Sequence, residues 1–284
     1  MRLNTLKRAV DGLFIKRLID LCFLLKIKPG KLADDNGIVV SLTSYGRRVK
    51  ASVPYTIYWI FKQNVRPSKI VLWLDEDNWN DDNIPSRLKF LSRFGLEIKY
   101  CKDIKSYKKL VYSLLFYPDN SIVTLDDDLL YYKGLLSGLM DKAKENPGSI
   151  IAMRYHQPAW KIKGQEFLSY RKWRTASEEM KKIPCMPTTG GGTLFPPHCF
   201  NNEALNEDVF MRICPTADDV WFWCMAIYSG TKIVGIGKDM YYPIDAFYQN
   251  LHKGSALEHQ NVENCSNDTQ IKAVFDYYKL WDKA

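Results

Sequence analysis

Residues 121–132 read SIVTLDDDLLYY, in which an apolar stretch runs directly into three consecutive aspartates. Ser121–Leu125 is short and rich in β-branched residues, which is typical of a buried strand. Three adjacent carboxylates repel one another unless a counter-charge neutralises them. Mg²⁺ and Mn²⁺ suit this purpose because they prefer carboxylate and phosphate oxygens. The triplet Asp126, Asp127 and Asp128 therefore predicts a metal site, with a solvated acidic turn as the alternative.

Strand patterns and amphipathic helix patterns alternate on both sides of this stretch. The predicted strands are residues 38–42, 69–74, 96–100 and 150–153. Such alternation indicates an α/β fold with a mostly parallel central sheet and flanking helices. Ligands of these sheets bind outside the carboxyl ends of the strands. Because polar clusters follow three strands, at Thr43–Arg48, Asp75–Asp77 and Asp126–Asp128, we expect a ligand site at that edge.

The net charge of +8 is concentrated in residues 1–31, which hold eight Lys and Arg against two Asp. The remainder is nearly neutral, which argues against nucleic-acid binding. The helical period predicts a basic amphipathic helix whose apolar face contains Leu3, Leu6, Val10, Leu13, Phe14, Leu18 and Leu21. Such a helix lies at an anionic membrane face, or packs on its own domain or on a second subunit of a homo-oligomer. These alternatives stay open.

Several protein classes are disfavoured by the sequence. The seven cysteines are scattered without a C-x-x-C pair, which argues against a zinc cluster or a disulfide framework. No run approaches the ~20 apolar residues of a membrane span, and no signal peptide fits. We therefore expect a cytoplasmic protein, and the membrane alternative for residues 1–31 would place it at the cytoplasmic membrane face through peripheral contact. Neither G-x-x-x-x-G-K nor G-x-G-x-x-G occurs, which disfavours P-loop and dinucleotide enzymes.

Two further motifs lie in the second half of the chain. The run Gly190–Gly192 permits close approach of backbone to a ligand, with a bulged strand as the alternative. Asp218 and Asp219 begin a predicted helix. They are candidate functional residues, and the alternative is that they only stabilise the first turn of this helix. Four basic residues could neutralise the phosphate charge of a ligand at this site, with solvated surface cations as the alternative. They are Arg47, Arg48, Lys108 and Lys109.

Five segments, in this order along the chain, resemble motifs of GT-A glycosyltransferases. The enzymes they resemble belong to bacterial polysaccharide and capsule biosynthesis and are similar to glycosyltransferase family 2. These segments are SLTSYGRR (41–48), SYKKL (106–110), VTLDDD (123–128), TGGGTLFPP (189–197) and PTADDVWF (215–222). The resemblance covers roughly residues 37–270 and implies a GT-A (Rossmann-like) domain at 37–284. Within it, residues 37–132 would form the nucleotide-binding half and residues 133–284 the acceptor half. The basic amphipathic helix and the linker after it form a separate N-terminal arm, residues 1–36.

The same resemblance implies roles for the aspartate triplet and its neighbours. Asp128 would be the principal ligand of Mn²⁺ or Mg²⁺, Asp126 would contact the metal or the ribose, and Asp127 would lie near the donor sugar or ribose. The base and ribose pocket would contain Thr43, Ser44, Tyr45 and Asp75, with Asp75 accepting the uracil N–H.

The resemblance further implies a catalytic base, a closing loop and a sugar cleft. Asp219 would be the base that deprotonates the acceptor hydroxyl, with Asp218 as the second candidate. His252 would be a further metal ligand, with a solvated histidine as the alternative. Residues near the phosphates and the donor sugar would include Lys108, Gly191 and Gly192.

These roles predict a metal-dependent transferase that moves a sugar from a nucleotide-sugar, UDP-linked, to a hydroxyl of a glycan or prenyl-linked saccharide. Inversion is favoured because a base candidate exists. A metal-dependent sugar nucleotidyltransferase is the first alternative, although it should carry a Gly-rich basic loop after the first strand, where Thr43–Arg48 holds one Gly. A catalytically silent carbohydrate-binding protein of the same fold is the second.

Overall fold

A computed structural model of the chain describes residues 3–162, 166–173, 184–237, 241–243 and 266–283. Its helices are α1 (Leu3–Leu24), α2 (Arg48–Ala51), α3 (Val53–Ile60), α4 (Ser86–Ser92), α5 (Lys108–Phe116), α6 (Leu135–Glu145), α7 (Glu207–Ile213), α8 (Asp218–Ser229) and α9 (Ser266–Tyr278). Its strands are β1 (Ile38–Thr43), β2 (Lys69–Asp75), β3 (Leu96–Cys101), β4 (Ser121–Leu125), β5 (Leu129–Tyr131), β6 (Ile150–Ala152), β7 (Tyr155–His156), β8 (Trp160–Ile162), β9 (Glu166–Phe167), β10 (Met186–Pro187), β11 (Gly191–Phe195), β12 (Ile233–Gly235) and β13 (Tyr241–Pro243).

Seven of the strands in the described ranges form the central sheet, in the order β12–β6–β11–β4–β1–β2–β3. Neighbours pair in parallel along β4–β1–β2–β3 and between β12 and β6. β11 runs antiparallel to both of its neighbours, β4 and β6. The predicted α/β fold with a mostly parallel central sheet and flanking helices is confirmed.

Alternate residues of the strands face opposite sides of the sheet. Val39 and Ile122 pack into one apolar core with α5, α7, α8 and α9. Val40 and Val123 pack into a second core with α1, α3, α4 and α6. Burial on both faces explains why these strands are continuous apolar runs without alternation. The helices therefore form a layer on each side of the sheet, and the strand ends are left at its edges.

The predicted N-terminal helix is present, but the side of it that packs is not the predicted apolar face. α1 docks on the second core through Ile19, which is buried. Val10 and Phe14, predicted to lie on the apolar face, are exposed instead. The helix is apolar on two sides, so its sequence pattern alone did not say which side the domain covers. None of the described helices is long and apolar enough to cross a membrane.

Candidate functional site

The carboxyl ends of β1, β2 and β4 meet at one edge of the sheet, because these three strands are parallel neighbours. The loop after β4 carries Asp126–Asp128, and the loop after β1 carries Ser44 and Tyr45. The turn Thr189–Gly190 joins this edge because β11 pairs with β4, placing Gly191 opposite Leu125. The Thr124 hydroxyl also donates to the Thr189 carbonyl at 2.8 Å. Segments far apart in sequence thus converge beside the aspartate triplet.

Asp127 is the buried member of the triplet. The Ser44 hydroxyl donates to one of its carboxylate oxygens at 2.5 Å, and Arg48 Nη1 contacts the other at 3.0 Å. The Thr56 hydroxyl donates to its backbone carbonyl at 3.1 Å. Burial raises the pKa of Asp127, and Arg48 and Ser44 offset part of that shift. Asp127 therefore joins the loops after β1 and β4 to α3.

The carboxylates of Asp126 and Asp128 reach the surface, with 38% and 20% of their side-chain area exposed. Arg48 Nη2 lies 3.4 Å from Asp128 Oδ2, so one guanidinium contacts two of the three aspartates. Burial opposes its charge, but Asp127 and Asp128 outweigh that effect and raise the pKa of Arg48. The Asp126 N–H donates to the Tyr131 hydroxyl at 2.8 Å, which fixes the start of the triplet.

Lys109 connects the triplet to the acidic pair at the start of α8. Its Nζ lies 3.6 Å from Asp126 Oδ1 and 3.2 Å from Asp218 Oδ2, and its side chain is 6% exposed. Burial opposes the ammonium charge, but Asp218 and then Asp126 raise the pKa of Lys109. Lys109 is therefore a buried cation between two acidic groups, and not one of the solvated surface cations that the sequence left as an alternative.

Asp219 is held by the turn before β11. The Thr189 N–H donates to Asp219 Oδ1 at 2.7 Å. The Thr189 hydroxyl lies 2.6 Å from the same oxygen and 2.9 Å from Asp218 Oδ2. Burial and the neighbouring Asp218 raise the pKa of Asp219 to about 6, although Lys109 and Thr189 act in the opposite direction. A carboxylate with this pKa is ionised near neutral pH and can accept a proton there, which suits a general base.

Four other predicted site residues have partners in the protein. The Thr43 hydroxyl donates to the Trp73 carbonyl at 2.9 Å, and the half-exposed Tyr45 ring lies 5.5 Å from the Arg48 guanidinium. The buried Asp75 accepts hydrogen bonds from the Asn78 backbone N–H at 3.0 Å and from the Asn78 side-chain amide at 2.5 Å.

Lys108 is the fourth of these residues, and it is buried in an ion pair with Asp103. It does not pair with any member of the aspartate triplet, whereas the next residue, Lys109, pairs with Asp126. Consecutive residues of a helix point about 100° apart. The phosphate-binding role predicted for Lys108 stays a prediction, and His252 lies outside the described residues.

The glycine run adopts the bulged strand that the sequence left as an alternative, with an irregular register between Gly191 and Thr193. A Cβ on Gly190 would lie 1.9 Å from the Asp126 carboxylate oxygens, so a side chain at this position would displace Asp126. Gly192 has a φ of +94°, which disfavours any residue with a side chain. The ligand-lining role of Gly191 and Gly192 stays a prediction.

The triplet is also the candidate metal site. Within the described ranges, no group of three or more His, Cys, Asp or Glu side chains is placed to hold a metal ion. Asp126 and Asp128 nevertheless present partly exposed carboxylates at one edge. Mg²⁺ is commonly held by one or two carboxylates together with substrate phosphates and water, without an all-protein cage. The donor chemistry therefore fits a hard divalent cation that is shared with a phosphate ligand.

Sequence reasoning missed the connecting roles of Arg48, Lys109 and Thr189. The two cations were named only as charges that offset phosphate, and Thr189 was seen only as the start of the glycine run. One signal for Lys109 was available, since Ser113 lies four residues later on the same helix face. The Ser113 hydroxyl donates to the Ser41 hydroxyl at 2.8 Å, and Ser41 donates to the Lys109 carbonyl at 2.5 Å. A polar stripe at helical spacing thus faces the first strand.

No protein-family model matches the chain, and no curated protein matches it either. The chain is similar in structure to the mannosyltransferase PcManGT from Pyrobaculum calidifontis, solved with GDP-Man and Mn²⁺, with a TM-score of 0.52 and 12% identity over 98% of this chain and 83% of that one. It also matches residues 1–349 of TarS from S. aureus, solved with UDP-GlcNAc, with a TM-score of 0.46 and 12% identity over 72% of this chain. The match spans only 57% of that TarS fragment. The chain therefore has the GT-A type of fold, which it shares with glycosyltransferases.

Proposed function

We propose that the chain is a nucleotide-sugar-dependent glycosyltransferase. The observation that supports this most strongly is the junction of two acidic groups at the carboxyl edge of the sheet. Asp126–Asp128 and Asp218–Asp219 are connected there by Lys109 and Thr189. One group suits the binding of a metal and diphosphate, and the other suits proton abstraction, which are the two requirements of sugar transfer to a hydroxyl.

Asp128 and Asp126 are the residues that would hold Mn²⁺ or Mg²⁺, with His252 as a further candidate ligand. The metal would supply charge neutralisation to the diphosphate leaving group. Arg48 and Lys109 already neutralise part of the negative charge at this edge. The protein thus orients the carboxylates that bind the cation and limits their mutual repulsion.

Asp219 is the proposed base, and Asp218 assists by fixing Lys109. A carboxylate with a pKa of about 6 is largely ionised at neutral pH, and it is basic enough to take the proton of an attacking hydroxyl. Attack by that hydroxyl opposite the leaving group would invert the anomeric centre. Thr189 holds the carboxylate through two contacts to Oδ1, and Oδ2 is the oxygen that we propose for the proton of the acceptor hydroxyl.

The donor we propose is a uridine nucleotide-sugar. Asp75 would accept the uracil N–H, while Thr43, Ser44 and Tyr45 would line the base and ribose pocket. Lys108, Asp127, Gly191 and Gly192 complete the proposed donor cleft. The acceptor would be a glycan or prenyl-linked saccharide of cell-surface polysaccharide synthesis, on the cytoplasmic side. The neighbour solved with GDP-Man makes a guanosine nucleotide the alternative to test.

A thermal-shift panel tests this proposal. UDP-sugars and GDP-sugars are added with and without Mn²⁺ to wild type, to Asp128→Asn and to the control Asp141→Asn, which changes an exposed aspartate of α6. We expect a rise in melting temperature that needs both Mn²⁺ and nucleotide-sugar, that is lost in Asp128→Asn and that is retained in the control. No shift with any nucleotide-sugar, or an equal shift in Asp128→Asn, would contradict the proposal.

A further inference from the structure

The outward side of α1 and the turn after it hold most of the exposed apolar side chains in the described part of the chain. Eight of the twelve large hydrophobic residues that are exposed lie between positions 10 and 27. They are Val10, Leu13, Phe14, Leu18, Leu21, Leu24, Leu25 and Ile27. Single exposed apolar residues need no explanation, but a contiguous patch of this kind marks an interaction surface.

The exposed residues of α1 form one continuous face. At about 100° per residue, Val10, Phe14 and Leu21 lie within about 40° of one another and opposite Ile19. Their exposed fractions are 58%, 64% and 49%, whereas Ile19 is 2% exposed. The remaining exposed apolar residues of the helix widen this face to about 140° of arc. α1 is therefore buried on one side and apolar on the opposite side.

Polar contacts fix this orientation of α1 on the domain. Asp20 Oδ1 accepts a hydrogen bond from the Tyr55 hydroxyl at 2.7 Å and lies 2.9 Å from Arg87 Nη1. The Phe23 ring packs edge-on against Tyr58 with a centroid distance of 5.3 Å. The outward face is thus a fixed feature of the folded chain, and not an accident of a detached helix.

The charge around this face indicates its partner. Lys7 and Arg17 are exposed on the outward half of the helix, and Lys26, Lys28 and Lys31 are exposed directly after it. A helix with apolar side chains and flanking cations is suited to a membrane interface with anionic head groups. A second copy of the chain on the same face would bring like charges together, which disfavours a symmetric dimer.

We propose that the outward face of α1, together with the turn after it (Val10 to Ile27), docks the protein on an anionic membrane surface. The helix would lie in the plane of the interface, with its apolar side chains among the acyl chains and its cations at the head groups. This inference does not depend on the glycosyltransferase proposal, since it concerns a face of the molecule that carries none of the site residues.

Vesicle co-sedimentation of the full chain tests the proposal. We expect binding to phosphatidylcholine vesicles that contain phosphatidylglycerol, and weak binding to phosphatidylcholine alone. The triple variant Val10→Ser/Phe14→Ser/Leu21→Ser should bind at least about tenfold more weakly, because apolar burial is lost. The matched control Leu115→Ser/Phe116→Ser/Tyr277→Ser changes residues of similar exposure elsewhere and should bind as wild type does.

A second variant separates the contribution of charge. In the variant Lys26→Gln/Lys28→Gln/Lys31→Gln, the affinity for the anionic vesicles should fall about fivefold per residue, which is about 1 kcal/mol each. Its binding to phosphatidylcholine alone should not change. Far-UV circular dichroism verifies that each variant is folded. The proposal is overturned if wild type binds neither vesicle, or if the apolar variant binds as the control does. It is also overturned if light scattering shows a dimer that the apolar variant dissociates while vesicle binding is absent.

Discussion

At the scale of single residues, Lys109 is the side chain on which the candidate site most depends. Removing one partner of a buried ion pair leaves an uncompensated charge, at a cost of about 3–5 kcal/mol. We therefore expect Lys109→Met to lower the free energy of unfolding in urea by about that amount at pH 7. The exposed Lys144, which pairs with Asp141 at 3.3 Å, provides the control Lys144→Met, for which little change is expected.

A double variant shows whether the lower stability of Lys109→Met arises from the lost ion pair between Lys109 and Asp218. Lys109→Met/Asp218→Asn removes the cation and one of its partners together, so it should lose less stability than the two single changes added. Strict additivity would mean that Lys109 and Asp218 do not interact, and would remove the proposed connection between the two acidic groups.

Asp219 should give the proposed transfer reaction a measurable pH dependence. Its pKa is raised to about 6, chiefly by burial, so the base form accumulates as the pH rises through that value. We expect kcat/KM to increase between about pH 5 and 7 and then to level off. Asp219→Asn should lower kcat by about 10²-fold or more and abolish this dependence. A flat profile in wild type would contradict the assignment of Asp219 as base.

Unfolding measurements test the raised pKa of Asp219 without any substrate. In the folded protein Asp219 is protonated up to about pH 6, whereas in the unfolded chain it is protonated only up to about 3.9. The folded state thus binds the additional proton, and its stability falls as the pH rises through this window. Asp219→Asn removes the ionisable group and should therefore remove this fall in the free energy of unfolding between about pH 4 and pH 7. A variant that keeps the same fall as wild type would contradict the raised pKa.

At the scale of secondary-structure elements, the turn into β11 is expected to be intolerant of any side chain. A Cβ on Gly190 meets the Asp126 carboxylate at 1.9 Å, so Gly190→Ala should displace Asp126 and cost about 1–3 kcal/mol. Gly138 lies inside α6, where its nearest neighbour would be the flexible end of Met153 at 3.4 Å. Gly138→Ala should therefore stabilise the fold by up to about 1 kcal/mol. Thermal unfolding compares the two, and equal effects would contradict the close approach at Gly190.

The elements themselves were largely predictable from local sequence. β4 coincides with the predicted strand Ser121–Leu125, because its β-branched residues are buried on both faces. The docked side of α1 was not predictable, since apolar residues lie on two of its faces and the choice depends on contacts such as Asp20 with Arg87. Periodicity identifies a helix, whereas tertiary contacts decide which side it buries.

At the scale of the whole molecule, the parallel order of the strands explains why the edge of the sheet was foreseen. Motifs that follow parallel strands must meet at one edge, so the clusters that contain Ser44 and Asp127 were expected at the same edge, where these two side chains are hydrogen-bonded. The pairing of Lys109 with Asp218 joins residues 109 and 218 through α5 and α8, which no local pattern encodes. The types of residue at the site were predictable, but the side chains that connect them were not.

Release of nucleoside diphosphate from a nucleotide-sugar is the most direct test of the proposed transferase. Wild type, Asp128→Asn and the control Asp141→Asn are incubated with UDP-sugars and GDP-sugars, with Mn²⁺ or with a chelator. We predict that wild type and the control release nucleoside diphosphate and that this release requires Mn²⁺. The rate of release should be about 10²-fold or more lower in Asp128→Asn. Full turnover by Asp128→Asn at saturating Mn²⁺, or no release by wild type from any donor, would contradict it.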